Sequence, residues 1–130
     1  MTRVFKGFRT SDDGSATIET VIWLPFLILF FVFTAEVSNV LFTKTKMEQI
    51  VTDANRMFSV GVFQDTTELD TFVLAQLADI SADATYTSSV GSQMITSLAV
   101  VPVSDVLITS FYGSWFDFKI SASSTQYVEY

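Results

Sequence analysis

The chain has 130 residues and a formal net charge of −7, with no cysteine and no histidine. That length holds one modest domain, and the missing cysteine rules out a disulfide framework and any thiolate metal site. Without histidine the usual neutral-pH acid–base group and the commonest zinc ligand are absent, and an acidic chain lacks the positive surface that displaces phosphate counterions, so nucleic acid is not an expected partner.

Met1–Gly14 carries Arg3, Lys6 and Arg9 and closes on Ser11-Asp12-Asp13-Gly14. Thr20–Ala35 follows as sixteen uncharged positions, and five of the thirteen phenylalanines lie between Phe26 and Phe42. With Ser15–Glu19 in front, the run reaches the ~20 residues that cross a hydrocarbon core of ~30 Å. Three cations lie before the run, and ten acids stand against four bases after Glu36. This asymmetry predicts a cytoplasmic N-terminus and an exported C-terminus. A cleaved secretory signal is the competing reading, but Phe33-Thr34-Ala35 puts a ring where its processing site needs a small side chain.

Two charges bound the run. Glu19 sits at its mouth, where a carboxylate in a bilayer needs a reason to be tolerated, and Glu36 marks the far interface. Pro25 has no N–H, which leaves the Val21 carbonyl without an intrahelical donor and predicts a kink or a melted turn. Beyond Ala35, Val37, Val40, Leu41, Met47, Ile50, Val51, Ala54, Met57 and Phe58 recur at steps of three and four, with Lys44, Lys46, Glu48, Asp53 and Arg56 on the rest of the surface. The two halves make one helix ending near Gly61.

Asp65-Thr66-Thr67-Glu68 has the spacing of an N-cap with its capping-box glutamate. The helix it opens carries Leu69, Phe72, Val73, Leu77 and Ile80 on one face and is predicted to end near Ser81. Its acids fit a helix dipole better than a cation site. From Thr85 the pattern turns to short β-rich runs. A hairpin is predicted between Val106–Tyr112 and Trp115–Ala122 around a Gly113-Ser114 turn, pairing Phe111 with Phe116, Thr109 with Phe118 and Leu107 with Ile120. Thr96–Val103 adds a strand that Pro102 places near an edge, and Thr125–Tyr130 extends the sheet. The fold class is α+β: a long N-terminal transmembrane and amphipathic helix, a second short helix and a small antiparallel β-sheet head.

No nucleophile motif, phosphate loop, dinucleotide fingerprint or zinc-protease motif is present, and no cofactor is implied. An activated serine would lack its usual base, so no catalytic role is expected. Gly14-Ser-Ala-Thr-Ile-Glu19-Thr-Val-Ile-Trp-Leu-Pro25, followed by Ala35-Glu36-Val37 and an amphipathic continuation, resembles the TadE/TadF-like minor pseudopilins of the tight-adherence (Flp, type IVc) pilus system. The likeness covers roughly Arg3–Gly61. Thr20 departs from the aromatic usual after the glutamate, and the β-containing tail departs from the very short major pilin.

The resemblance implies a cytoplasmic leader over 1–14, a transmembrane helix over 15–36, its amphipathic extension over 37–61 and an exported head over 62–130. It implies cleavage between Gly14 and Ser15 by a prepilin peptidase, an assembly role for Glu19, inner-membrane location with possible incorporation into a pilus, and partners among other pilins and pseudopilins. It also admits a helix-packing role for Glu36. The alternative is a permanently membrane-anchored accessory protein whose exported head binds a partner or a surface.

Overall fold

The computed structural model of the chain describes residues 13–109 and 118–129. Helix α1 runs unbroken from Asp13 to Ser59, passing through Pro25 without a melted turn. Its end is set by Gly61, whose φ of 78° lies in the left-handed region. The Gly61 N–H reaches the Phe58 carbonyl and the Val62 N–H reaches Met57. This pair of bonds is a Schellman stop, which glycine adopts without a Cβ penalty. Helix α2 spans Thr66–Ala78, three residues short of the expected end. Strands β1 (Thr85–Gly91), β2 (Met94–Pro102) and β3 (Lys119–Tyr127) form one antiparallel sheet in that order, with a 3₁₀ turn at Val103–Asp105.

Backbone contacts divide the chain between Ala35 and Glu36. In the first unit the apolar side chains from Ile18 to Phe31 are exposed, from 46% at Leu27 to 70% at Ile22. Trp23 and Phe26 meet edge to face at 5.6 Å, and none of these apolar side chains is buried. Fully burying such a side chain is worth about 1.5–3 kcal/mol, and these retain roughly half of that to gain, so this helix calls for lipid or for other helices. It is long and apolar enough to cross a membrane.

The second unit is the head. One stripe of α1, Met47, Val51, Ala54 and Phe58, packs into a single buried cluster with Leu69, Val73 and Leu77 of α2 and one sheet face. That face is Tyr86 of β1, Ile95, Ala99 and Val101 of β2, and Ile120 and Ala122 of β3. Within it the Tyr86 hydroxyl donates to Ser97 Oγ at 2.8 Å, Ser97 donates to Asn55 Oδ1 at 2.5 Å, and Asn55 Nδ2 donates to the Ser124 carbonyl at 3.1 Å. One polar chain therefore joins α1 to all three strands. One helical turn on, Ser59 Oγ donates to the Tyr127 carbonyl at 2.5 Å. These bonds occupy carbonyls of strand β3, the last strand of the sheet among the described residues.

Three expectations are corrected. Val106–Thr109 is not a strand, and β3 pairs with β2 instead: Ile120 faces Val101 rather than Leu107, and Thr109 is not paired with Phe118. Phe111, Phe116 and the Gly113-Ser114 turn lie outside the described residues. Strand β2 is central, not an edge; Pro102 is its last residue, where a missing N–H costs no interior ladder bond. Asp65 is the N-cap of α2 but makes no side-chain cap bond. Glu68 accepts instead from the Gln64 N–H at 3.3 Å, so the reciprocal box does not form. The observed hairpin joins β1 to β2 through Ser92 and Gln93, both at positive φ (52° and 64°) as in a type I′ turn.

Asn55→Ala should destabilise the head by about 2–3 kcal/mol, because the Ser124 carbonyl and the Ser97 hydroxyl lose their partner in the core. Gln49→Ala, on the exposed face of the same helix, should change it by less than about 0.5 kcal/mol. Urea unfolding of the detergent-solubilised protein, followed through its head, makes the comparison.

Candidate functional site

The residues singled out by the sequence lie along α1. Gly14 and Ser15 fall in its first turn, and Glu19 follows Ser15 by four residues, a rise of about 6 Å. Glu19 is exposed, and no ion pair to it is present among the described residues. Pro25 lies two turns further, inside the exposed apolar stretch.

Glu36 is different in kind. It is 3% exposed although it directly follows an apolar run, and both carboxylate oxygens are engaged by the head. Oε2 accepts the Ile108 N–H at 2.8 Å, while Oε1 accepts the Thr109 N–H and the Thr109 hydroxyl, each at 2.6 Å. One turn along the same face, Asn39 Nδ2 donates to the Val106 carbonyl at 2.6 Å. Two helix side chains thus clamp Val106–Thr109 from both polarities, one taking N–H groups and the other a C=O. A buried carboxylate is tolerated only when its lone pairs are met, and this one has three donors.

The segment is held from its other end as well. The Val106 and Leu107 N–H groups bond to the Val103 carbonyl, and the Val103 N–H bonds to Phe118. Ser81 Oγ donates to the Asp105 carboxylate just before it. Asp70, one of the acids of α2, accepts the Ser88 hydroxyl of β1 at 2.6 Å, which gives that acid a packing role. Among the described residues no group of acids is arranged to hold a metal ion.

Sequence reasoning singled out Glu36 but not its partners. Two of its three donors are main-chain groups about seventy residues away, and Val106-Leu-Ile-Thr109 reads as a strand. The available signal was the polar pair Ser38-Asn39, two residues after the glutamate. Glu36→Gln should loosen the clamp, since an amide offers one acceptor oxygen and turns N–H donors toward N–H donors. Glu36→Ala should expose Val106–Thr109 to a non-specific protease at least about tenfold faster in detergent, as hydrogen bonds to charge at about 1.5–3 kcal/mol each are lost. Thr109→Val, which removes one donor of three, should give a smaller increase when the fragments are read by mass spectrometry.

Comparison with known proteins bears on this helix alone. Residues 14–56 match the family model described as TadE-like protein, about a third of the chain, starting at Gly14 and stopping short of the sheet. No curated protein and no solved structure matches the chain. The segment holding Gly14, Ser15, Glu19, Pro25 and Glu36 is therefore similar to TadE-like proteins of the Tad pilus system.

Proposed function

We propose that the protein is a minor pseudopilin, a structural and assembly component of a Tad (Flp) pilus rather than an enzyme. The observation that carries this reading is the TadE-like match beginning at Gly14, where the basic segment ends and a long helix with an exposed apolar half begins. In this reading a prepilin peptidase cuts between Gly14 and Ser15, with the N-terminus cytoplasmic and the head exported. The helix stays in the inner membrane until it is drawn among the helices of other pilins and pseudopilins. The same apolar side chains serve both states, because lipid and a helix bundle each keep them from water.

Glu19 supplies the direction of the transfer. A carboxylate at the bilayer centre costs about 2.5–3.5 kcal/mol on the insertion scale, less near the interface, and the new amine of Ser15 on a neighbouring helix neutralises it. Assembly is then favoured over the isolated membrane form. Pro25 leaves the Val21 carbonyl without its helical donor, a weak point at which the helix can bend while it is transferred.

Gly14→Leu should block maturation, because a branched side chain replaces the only residue that lets the backbone approach a peptidase without a Cβ. Insertion should be unaffected, and mature-size product from this variant would contradict the cleavage site. Glu19→Ala preserves helix propensity and makes the span more apolar, so the variant should insert and be cut yet fail to crosslink to pilin partners. Glu19→Gln keeps hydrogen-bonding capacity without charge and should fail similarly. Wild-type crosslinking in both, at matched membrane levels, would remove Glu19 from the mechanism.

A further inference from the structure

Hydrogen bonds at the two ends of the β2–β3 ladder fix which main-chain groups of the sheet stay open. The Val103 N–H donates to the Phe118 carbonyl and the Val128 N–H to the Gln93 carbonyl, each one step beyond the paired register. Bonded pairs alternate along an antiparallel ladder, so the odd-numbered residues of β2 bond to β3 and the even-numbered ones turn to β1. Their partners on β1 are Thr85, Thr87, Ser89 and Gly91. Tyr86, Ser88 and Val90 therefore direct their N–H and C=O groups away from the sheet, and among the described residues none of these groups has a partner. The other edge differs, since β3 carries Lys119 and gives the Tyr127 carbonyl to Ser59. Thr85–Gly91 has neither charge nor proline, the devices that keep an edge from pairing. On the helix side of β1, Ser88 Oγ donates to Asp70 Oδ1 of α2 at 2.6 Å. Among the described residues the second oxygen of Asp70 accepts no hydrogen bond and no cation pairs with it. Val90, two residues along the same face of β1, is 50% exposed, and Leu74, one turn along α2 from Asp70, is 40% exposed.

We infer that the β1 edge is a strand-addition site. It takes an extended, antiparallel segment of another protein, with a lysine or arginine opposite Ser88 and an apolar side chain two residues to either side. Three open N–H and three open C=O groups in a row are matched by extended main chain, which supplies acceptors and donors at the same spacing. Asp70 sets the charge of the occupant. The residue opposite Ser88 shares its face at a Cβ separation of about 5 Å, so a basic side chain there reaches the open Asp70 oxygen, and its apolar neighbours cover Val90 and Leu74. A second copy of this chain is the wrong occupant. The register that meets Tyr86, Ser88 and Val90 on both strands sets Ser88 against Ser88 and brings two Asp70 carboxylates together, and facing like charges are destabilising. The site lies wholly in α2 and β1, so it stands whatever the N-terminal helix does.

The test uses the full chain in detergent and a capped peptide probe, Thr-Val-Thr-Lys-Thr-Val-Thr, whose lysine and valines share one face. Binding is read by fluorescence anisotropy of a labelled probe, and its place by amide hydrogen exchange. The probe should slow exchange at Tyr86, Ser88 and Val90 and leave the ladder amides of Thr87 and Ser89 unchanged. It should bind at least about fivefold tighter than the same peptide with glutamate for lysine, because an attraction to Asp70 becomes a repulsion. Asp70→Asn should level the two peptides. Val90→Pro removes one outward N–H and no ladder bond, and should weaken the probe; N-methylation of the probe's valines does the same from the other strand, with the protein unaltered. Equal binding of the lysine and glutamate peptides to the unaltered protein would overturn the inference, as would protection at Ser121 and Ser123 of β3 in place of β1. Protection of Tyr86, Ser88 and Val90 that grows with protein concentration in the absence of peptide would put a second copy on the edge and would also overturn it.

Discussion

The engagement of Glu36 by the Val106–Thr109 segment is the interaction on which the rest of the head depends. A carboxylate 3% exposed at the end of an apolar run is a heavy electrostatic cost unless donors meet both of its oxygens. Two N–H groups and a hydroxyl engage both oxygens. Their geometry is only available if the backbone between the 3₁₀ turn and Thr109 is irregular, which explains why that segment is not a strand. The Asn39 bond to the Val106 carbonyl fixes the same segment from the opposite polarity. The glutamate therefore dictates a local backbone as much as the backbone shelters the glutamate.

Along the same helix the polar face is spent on holding the sheet. Asn55 and Ser59 bind carbonyls of β3, and Asn55 also closes the chain of hydroxyls from Tyr86 through Ser97. Met47, Val51, Ala54 and Phe58 give the apolar contacts, which fix packing but tolerate sliding. The directional bonds fix register. The exposed apolar half of α1 has the opposite character. It has few directional partners and a large hydrophobic surface, which suits a helix that exchanges lipid for neighbouring helices in the proposed assembly. Glu19 is the exposed charge of residues 17–35, and in the proposed assembly the point where such an exchange gains direction.

Much of this was legible in the residues. Gly61 marks the end of α1 because only the left-handed region allows the stop, and the steps of three and four name the buried stripe. Leu69, Val73 and Leu77 identify the face of α2 in the same way. Strand β2 was legible from its alternation, but its central place was not, since proline at a last strand position carries no edge requirement. The β1–β2 hairpin was hidden because Ser92-Gln93 lacks the asparagine–glycine signature of its turn. The β3 pairing and the Glu36 clamp were hidden for one shared reason: both depend on main-chain groups distant in sequence, which side-chain patterns do not encode. Gly14 and Ser15 were legible only as part of a motif, Glu19 and Pro25 also from a charge and a missing N–H beside an apolar run, and the TadE-like match covers the segment that holds them.

The central claim is that this helix enters assembly with a new amine four residues before Glu19. Intact-mass measurement of the protein extracted from the membrane of cells that carry the pilus machinery tests it most directly. The account predicts a chain beginning at Ser15, lighter by Met1–Gly14. A membrane-extracted chain that retains Met1–Gly14 would contradict it and would leave a permanently anchored protein in its place.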